Sequence, residues 1–222
     1  MKKHVSLPLL FMLTVAVMLL GVSLLAGPVP AMAEEASLPG RTVTIYKEDG
    51  AEDVSKKVSD AFADQSVEQV NVIDLSLRNS VNPEGSEATP YRAGYTARNR
   101  KFLNTAMEGV VIARTQGLPG MNIGINATKG VSNTYSCSFS ISTGAISACV
   151  GFTVTKTEQI QVSCSETVPY TVGSKKVTSM TLMAHPLFDY YSYDVYQNGN
   201  YVGKGYAGHA VGCAFRRSYQ YA

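Results

Sequence analysis

In this sequence of 222 residues, the cysteines are the first candidates for chemistry. The number of residues between them indicates whether they could form disulfides, bind a metal or carry out redox reactions. The four of them, Cys137, Cys149, Cys164 and Cys213, all lie in the second half of the chain. No Cys-x-x-Cys pair occurs, so the spacing does not favour a zinc site or thioredoxin-like redox chemistry. If the chain is exported, its four cysteines permit two disulfides in three connectivities. The alternation of residues around them favours a bond between Cys137 and Cys164. Cys149 and Cys213 are then either bonded or free, and four reduced, buried thiols are the alternative.

Two histidines, His185 and His209, are the other candidates for chemistry after the first 33 residues. No Gly-x-Ser-x-Gly motif accompanies them. In a strand, His209 would lie roughly 13 Å from Cys213, at about 3.3 Å per residue, so a dyad is not expected. His185 precedes Pro186 and is expected in a solvated turn near Asp189. The acidic residues are scattered, and no pair stands out for glycoside hydrolysis. The sequence therefore predicts no catalytic residue, no metal ligand and no cofactor, and favours a non-enzymatic protein.

An alternation of apolar and polar residues between Asn133 and Glu166 is the strongest secondary-structure signal. Apolar residues stand at odd positions from Tyr135 to Ile141 and at even positions from Ile146 to Val154. A two-residue turn at Thr143-Gly144 would bring both apolar rows to one face. The pattern therefore predicts a β-hairpin from Asn133 to Thr155.

This hairpin also suggests a different function. Residues 133–142 and 146–155 are ten residues each, the length that a tilted strand needs to cross a bilayer. Serine and threonine on one face and apolar residues on the other would suit a pore wall. Any half-exposed antiparallel sheet shows the same pattern, however. A β-hairpin pore-forming protein is therefore one alternative among the non-enzymatic functions, the other being a binding protein.

The first 33 residues have the order of a secretory signal peptide. Lys2 and Lys3 precede an apolar run, and Ala31-Met32-Ala33 forms a small-x-small cleavage site before Glu34. The alternative is an uncleaved segment that tethers the protein to the membrane. Cleavage leaves 222 − 33 = 189 residues with 19 − 2 = 17 basic and 17 acidic side chains. A formally neutral chain offers no electrostatic footprint for nucleic acid, and we expect a secreted protein that does not span the membrane.

Residues 34–100 show a mixture of strand and helix patterns. A short strand is predicted from Arg41 to Tyr46, and a capping box from Asp49 to Glu52 is expected to open a helix. The apolar side of that helix would contain Val54, Val58, Ala61 and Phe62. A strand is predicted from Val67 to Leu77, and an exposed loop from Asn79 to Pro90.

Residues 101–222 are dominated by strand patterns. Residues 103–114 fit either a helix or a strand, and both interpretations stay open. Strands are predicted at 121–127, 177–185, 188–196 and 211–215, with a turn at Asn198-Gly199. Nine of the 13 tyrosines lie from Tyr170 onward. They fit an aromatic binding face, but the preferred interpretation is that tyrosine is simply a good strand residue.

Three motifs resemble small exported β-rich proteins of Gram-positive bacteria that have no established activity. They are Val150-Gly-Phe-Thr-Val-Thr155, Tyr193-Asp-Val-Tyr196 and Val202-Gly-Lys-Gly-Tyr-Ala207. The resemblance implies secretion and a β fold, and it supplies no site residue.

Together, the patterns predict a mainly β protein, with sandwich-like antiparallel sheets and a small helix-containing N-terminal portion. The signal peptide at 1–33 would precede a mixed portion at 34–100 and an antiparallel β domain at 101–222. The expected function is a non-enzymatic binding module that recognises an extracellular or cell-surface ligand. A pore-forming protein and an extracellular hydrolase with an unrecognised carboxylate site are the alternatives.

Overall fold

The computed structural model describes residues 40–48, 54–81 and 94–222. The predicted signal peptide at 1–33, the capping box at 49–52 and most of the loop at 79–90 lie outside the described residues. Within them, the prediction of a mainly β fold with a small helical portion is confirmed. The strands are β1 Arg41–Lys47, β2 Val67–Asp74, β3 Tyr95–Met107, β4 Ala113–Gly117, β5 Asn122–Ser132, β6 Thr134–Ser136, β7 Thr157–Thr167, β8 Thr171–Val172, β9 Lys175–Gln197 and β10 Asn200–Tyr221. The helices are α1 Val54–Ala63, α2 Leu75–Arg78 and α3 Thr143–Val150.

The main sheet is built around the long hairpin of β9 and β10. Its strand order is β1-β2-β10-β9-β3, with β4 and β8 also pairing with β9 and β6 with β10. Asn198 and Gly199 connect the two long strands at φ 50° and 83°, as the Asn-Gly turn predicts. β1 and β2 are parallel because α1 forms the crossover between them. Strands β5 and β7 pair separately as a second, antiparallel sheet.

Two clusters of buried side chains lie on opposite faces of the main sheet. The first cluster takes even-numbered β9 residues such as Met180 and Leu182, together with the inward residues of β7 and α1. The second takes the odd-numbered Tyr191, Tyr193 and Val195, together with α3. Successive strand residues point to opposite sides of a sheet. The even-numbered residues therefore face the second sheet, which covers one face of the main sheet, and the odd-numbered residues face α3, which covers the other.

The predicted helix of the N-terminal portion is present as α1. Val58 and Phe62 are buried, and Val54 and Ala61 pack partly buried against the first cluster. The predicted strand from Val67 ends at Asp74, whose side chain accepts a hydrogen bond from the Ser76 N–H and caps the short helix α2. The segment that fitted either a helix or a strand is in strand β3 up to Met107.

The predicted hairpin from Asn133 to Thr155 is wrong. Its first arm forms only the three-residue strand β6, and its second arm begins as helix α3. The Ser142 side chain accepts a hydrogen bond from the Ala145 N–H, and Gly151 ends the helix at φ 84°. Ile146, Cys149 and Val150 follow the i, i+3, i+4 spacing of one helix face, and all three are buried. Tertiary burial of this helical face prevails over the alternation, so the two ten-residue strands on which the pore hypothesis was based are not formed.

Candidate functional site

Four tyrosines share the face of the main sheet opposite α3, beyond the part that the second sheet covers. Tyr190 and Tyr196 alternate with the buried Tyr191, Tyr193 and Val195, so their side chains point to the other side. On β10, register places Tyr201 opposite Tyr196, and Tyr206 opposite Ser192. We call this set the tyrosine face: Tyr190, Tyr196, Tyr201 and Tyr206.

The rings of the tyrosine face differ in how firmly they are held. Tyr196 and Tyr201 contact each other edge to face, with ring centroids 5.8 Å apart. The Tyr190 hydroxyl donates to the carboxylate of Glu108, and burial together with this bond raises the pKa of Tyr190. Tyr201 and Tyr206 are 55% and 50% exposed, respectively. The face therefore combines two oriented rings at its ends with two open ones on β10.

Charged side chains lie between the tyrosines in register. Arg98 of β3 and Lys204 of β10 flank Asp194 of β9, and Lys101 pairs with Ser192 one row away. The Arg98 guanidinium lies 5.7 Å from the centre of the Tyr196 ring. Arg98, Lys101 and Lys204 are all exposed. The face thus presents three cations around one carboxylate.

An asparagine fixes that carboxylate. Asn99 has φ 57° and directs its Nδ2 to Asp194 Oδ2 at 3.0 Å and to the Tyr196 hydroxyl at 3.2 Å. One side-chain amide therefore orients both an acceptor and an aromatic ring. This leaves the second oxygen of Asp194 and the hydroxyl hydrogen of Tyr196 able to bond a ligand.

Two acidic groups in or close to the hairpin, Asp189 and Glu158, are buried and paired with cations. Asp189 accepts a hydrogen bond from Thr105 Oγ1 at 2.5 Å and lies 2.9 Å from Arg78 Nε. Glu158 lies 2.9 Å from Lys156 Nζ. A buried carboxylate is tolerated when a cation compensates for its lost hydration, so these pairs fit a structural role.

His209 lies completely buried beside Glu158, with Nε2 3.6 Å from Oε1. The Phe152 ring stacks on the imidazole at 4.6 Å between centroids. Burial lowers the pKa of His209, although Glu158 opposes that shift. The folded protein therefore holds this imidazole neutral in a place that no substrate reaches without rearrangement.

The third buried pair joins Glu166 to Arg217, whose Nη1 lies 2.6 Å from Oε1. The guanidinium also donates to the backbone carbonyls of Phe62, Asp64 and Val67, between the end of α1 and the start of β2. Burial raises the pKa of Glu166, and Arg217 opposes the rise. The pair borders an open depression of about 270 Å³ that residues of α1 also line. Its many protein partners identify Arg217 as an anchor that fixes the helix to the sheets.

The hydrolase alternative requires two carboxyl groups facing one cleft. Of the buried carboxylates in the described ranges, Asp189, Glu158 and Glu166 each face a cation. The same part of the chain holds no group of three or more His, Cys, Asp or Glu side chains placed for a metal ion. The geometry of the described residues thus singles out no paired acids.

The four cysteines are free thiols distributed over the two clusters. Cys164 and Cys213 are buried in the first cluster, and Cys149 in the second, where Cys137 packs half-buried. The favoured pair, Cys137 with Cys164, therefore lies in different cores and is not joined. Burial raises the pKa of Cys149 to about 11 and of Cys164 and Cys213 to about 12.

The solvated turn predicted for His185 is also wrong. His185 is buried within β9, and its Nδ1 lies 3.1 Å from the backbone carbonyl of Glu108. The adjoining Pro186 sits inside the strand opposite Cys213 rather than ending it. No sequence signal indicated this, because a His-Pro pair ordinarily marks a turn.

The tyrosine face was the less favoured interpretation of the tyrosine-rich sequence. The structure divides these residues: Tyr191 and Tyr193 are core side chains, whereas the tyrosine face is gathered from two strands. The only signal available was the even spacing of Tyr190 and Tyr196. The partners on β10 depend on an extra residue at Val202, where the register shifts.

No protein-family model and no curated protein matches this chain. Among the described residues, no helix is both long enough and apolar enough to cross a bilayer.

Proposed function

We propose that this protein is an exported, non-enzymatic binding protein of the extracellular space or cell envelope, and that the tyrosine face is its binding surface. The observation that carries the proposal is the exposure of Tyr201 and Tyr206 on a face where Asn99 orients Asp194 and Tyr196. Secretion rests on the signal-peptide pattern, and retention of that segment would tether the same surface to the membrane.

Physical chemistry supports this choice over the buried groups. Tyrosine offers a large ring and a hydroxyl with few rotatable bonds, so it binds ligands at a small entropic cost. The long paired strands β9 and β10 hold the rings on a rigid support. His209, Asp189 and Glu158, in contrast, are no more than 4% exposed. An accessible surface with fixed polar groups is suited to recognition, whereas enclosed ion pairs are suited to folding.

The proposal is tested by cosedimentation of the exported protein with envelopes isolated from the bacterium that produces it. The double variant Tyr201→Ala/Tyr206→Ala removes the two open rings. Tyr46→Ala/Tyr170→Ala is the matched control, because those tyrosines are 50% and 70% exposed elsewhere on the chain. We expect the first variant to lose at least about tenfold in affinity and the control to bind as the wild type does.

Equal binding by the two double variants would reject the tyrosine face as the binding surface. A wild-type protein that neither sediments with envelopes nor binds any component of the culture medium would reject the binding function.

A further inference from the structure

We propose that the ligand of the tyrosine face is an anionic polysaccharide, whose sugar rings lie on the tyrosines while its carboxylates pair with Arg98, Lys101 and Lys204. This inference rests on the proposed function and specifies its ligand class. It depends on the order in which aromatic and charged residues follow one another across the sheet.

Beyond Tyr190, the tyrosine face consists of three rows across the strands. The first row contains Lys101, Ser192 and Tyr206, the second contains Arg98, Asp194 and Lys204, and the third contains Thr96, Tyr196 and Tyr201. Alternate residues of a strand are about 6.6 Å apart, which sets the spacing of the rows. A chain lying along the hairpin therefore meets a ring, then charges, then rings again.

That order matches a polymer with alternating apolar and charged surfaces. A pyranose ring presents C–H groups on its faces and hydroxyls around its rim, so its faces suit tyrosine rings. Its hydroxyls can donate to the oriented Asp194 carboxylate and accept from the Tyr196 hydroxyl. An open sheet face also suits an extended polymer better than a small molecule, which needs a concave pocket.

The charge of the face calls for an acidic polymer. Lys101 and Lys204 form no ion pair with any of the described residues, and Arg98 contacts the ring of Tyr196. With Asp194 as the one carboxylate in these rows, the positive charge is in excess. Uronic-acid carboxylates would neutralise it, and arginine can bind such a group through two parallel hydrogen bonds.

A single-stranded nucleic acid would also bring rings and negative charge. The Asp194 carboxylate in the central row repels any anion, but the hydroxyls of a polysaccharide can donate to it, whereas a DNA backbone carries no hydroxyl group along its length. Nucleic-acid surfaces also carry a continuous basic stripe, whereas the chain after residue 33 is formally neutral, with 17 basic and 17 acidic residues.

The test uses calorimetric titration of the exported protein with polygalacturonate and hyaluronate. Dextran is the neutral polysaccharide, and an oligothymidylate is the single-stranded nucleic acid. Lys101→Gln/Lys204→Gln removes two cations of the face, and Lys57→Gln/Lys129→Gln is the control, with lysines exposed on α1 and β5. We expect at least one acidic polysaccharide to bind. Its affinity should fall at least about tenfold in the first variant, stay unchanged in the control, and weaken as salt rises.

Four outcomes would overturn the inference: binding to neither acidic polysaccharide, equal binding to dextran, tighter binding to the oligothymidylate, or equal loss in both lysine variants. The envelope experiment separates these failures from failure of the proposed function. If Tyr201→Ala/Tyr206→Ala abolishes envelope binding while neither acidic polysaccharide binds, the ligand class is wrong and the binding function stands.

Discussion

Neighbouring tyrosines of the same hairpin meet opposite environments on the two faces of the main sheet. Tyr193 is completely buried against α3, whereas Tyr206, one strand away, is half exposed on the tyrosine face. Side-chain alternation causes this division, since the two residues point to opposite sides of paired strands. One row of tyrosines therefore stabilises the second cluster, and the other is available to a ligand. Near its turn, the hairpin therefore contributes to the core on one side and leaves the other side open.

The largest effect is expected from deleting a ring on the buried side. Tyr193→Ala should lower the free energy of unfolding by about 3–5 kcal/mol, because an aromatic side chain is replaced by a cavity. Tyr206→Ala should change it by no more than about 0.5 kcal/mol, since its ring is half exposed. Urea unfolding followed by far-UV circular dichroism measures both. Similar losses in the two variants would remove the distinction between the faces.

The reactivity of the Cys149 thiol, on α3, measures how well the second cluster is shielded from solvent. Burial raises the pKa of Cys149 from 9.0 to about 11, so its thiolate fraction at pH 8 should be about 100-fold lower than in the unfolded chain. Iodoacetamide labelling with peptide mass analysis, in buffer and in urea, should show at least that ratio of rates. Labelling of native Cys149 at the unfolded rate would show that the second cluster opens readily.

The same labelling experiment tests the cysteine hypotheses. Free thiols should all be alkylated in urea without a reductant. Four cysteines that react only after reduction would instead establish two disulfides in the exported protein.

A single added carbon should also distinguish the faces. A Cβ at Gly205 would overlap the ring of Tyr193, so Gly205→Ala should destabilise the protein by about 1–3 kcal/mol through overpacking. Lys204→Ala, the neighbouring change on the opposite face, should have little effect on stability. The comparison uses the same urea transitions, and a neutral Gly205→Ala would mean that the second cluster repacks easily.

The smallest expected effect is a pH dependence on the buried side. Burial holds the pKa of His209 below its ordinary 6.5, so below pH 6.5 the unfolded chain binds a proton that the folded chain does not. The free energy of unfolding should therefore fall as the pH drops, by at most about 1.4 kcal/mol per pH unit from this group, until the lower folded pKa is reached.

This dependence is measured by urea unfolding of wild type and His209→Gln at pH 7, 6 and 5. The difference between their stabilities should shift in favour of the variant as the pH falls. A constant difference would show that His209 titrates alike in both states.

The sequence was most informative where local geometry alone decides the structure. The Asn198-Gly199 turn requires positive φ at both residues, and few other conformations satisfy that pair. The apolar spacing of Val58 and Phe62 predicted the buried side of α1 because a single helix face meets a single core. In the candidate site, the abundance of tyrosine was visible, but its division into buried and exposed rows was not.

The failures occurred where two periodicities fitted the same residues. From Ile146 to Val150 the apolar residues fit both a strand and a helix. The helix α3 forms because its apolar face packs on the second cluster and covers it. The cysteine prediction failed for the same reason. It relied on the odd and even positions of residues in a hairpin that does not form, so it could not reveal that Cys137 and Cys164 occupy separate clusters.

The sequence by itself determined the β class, the central turn and the spacing that puts Tyr190 and Tyr196 on one side of β9, because these depend on backbone geometry over a few residues. The tertiary structure decided which side of the hairpin is left open near its turn, and which residues of β3 and β10 join those tyrosines. Both depend on pairing between residues distant in the chain, including Arg98 with Asp194, and on the register shift at Val202. No local pattern encodes that register, since it is set by the packing of the whole sheet against its two covers.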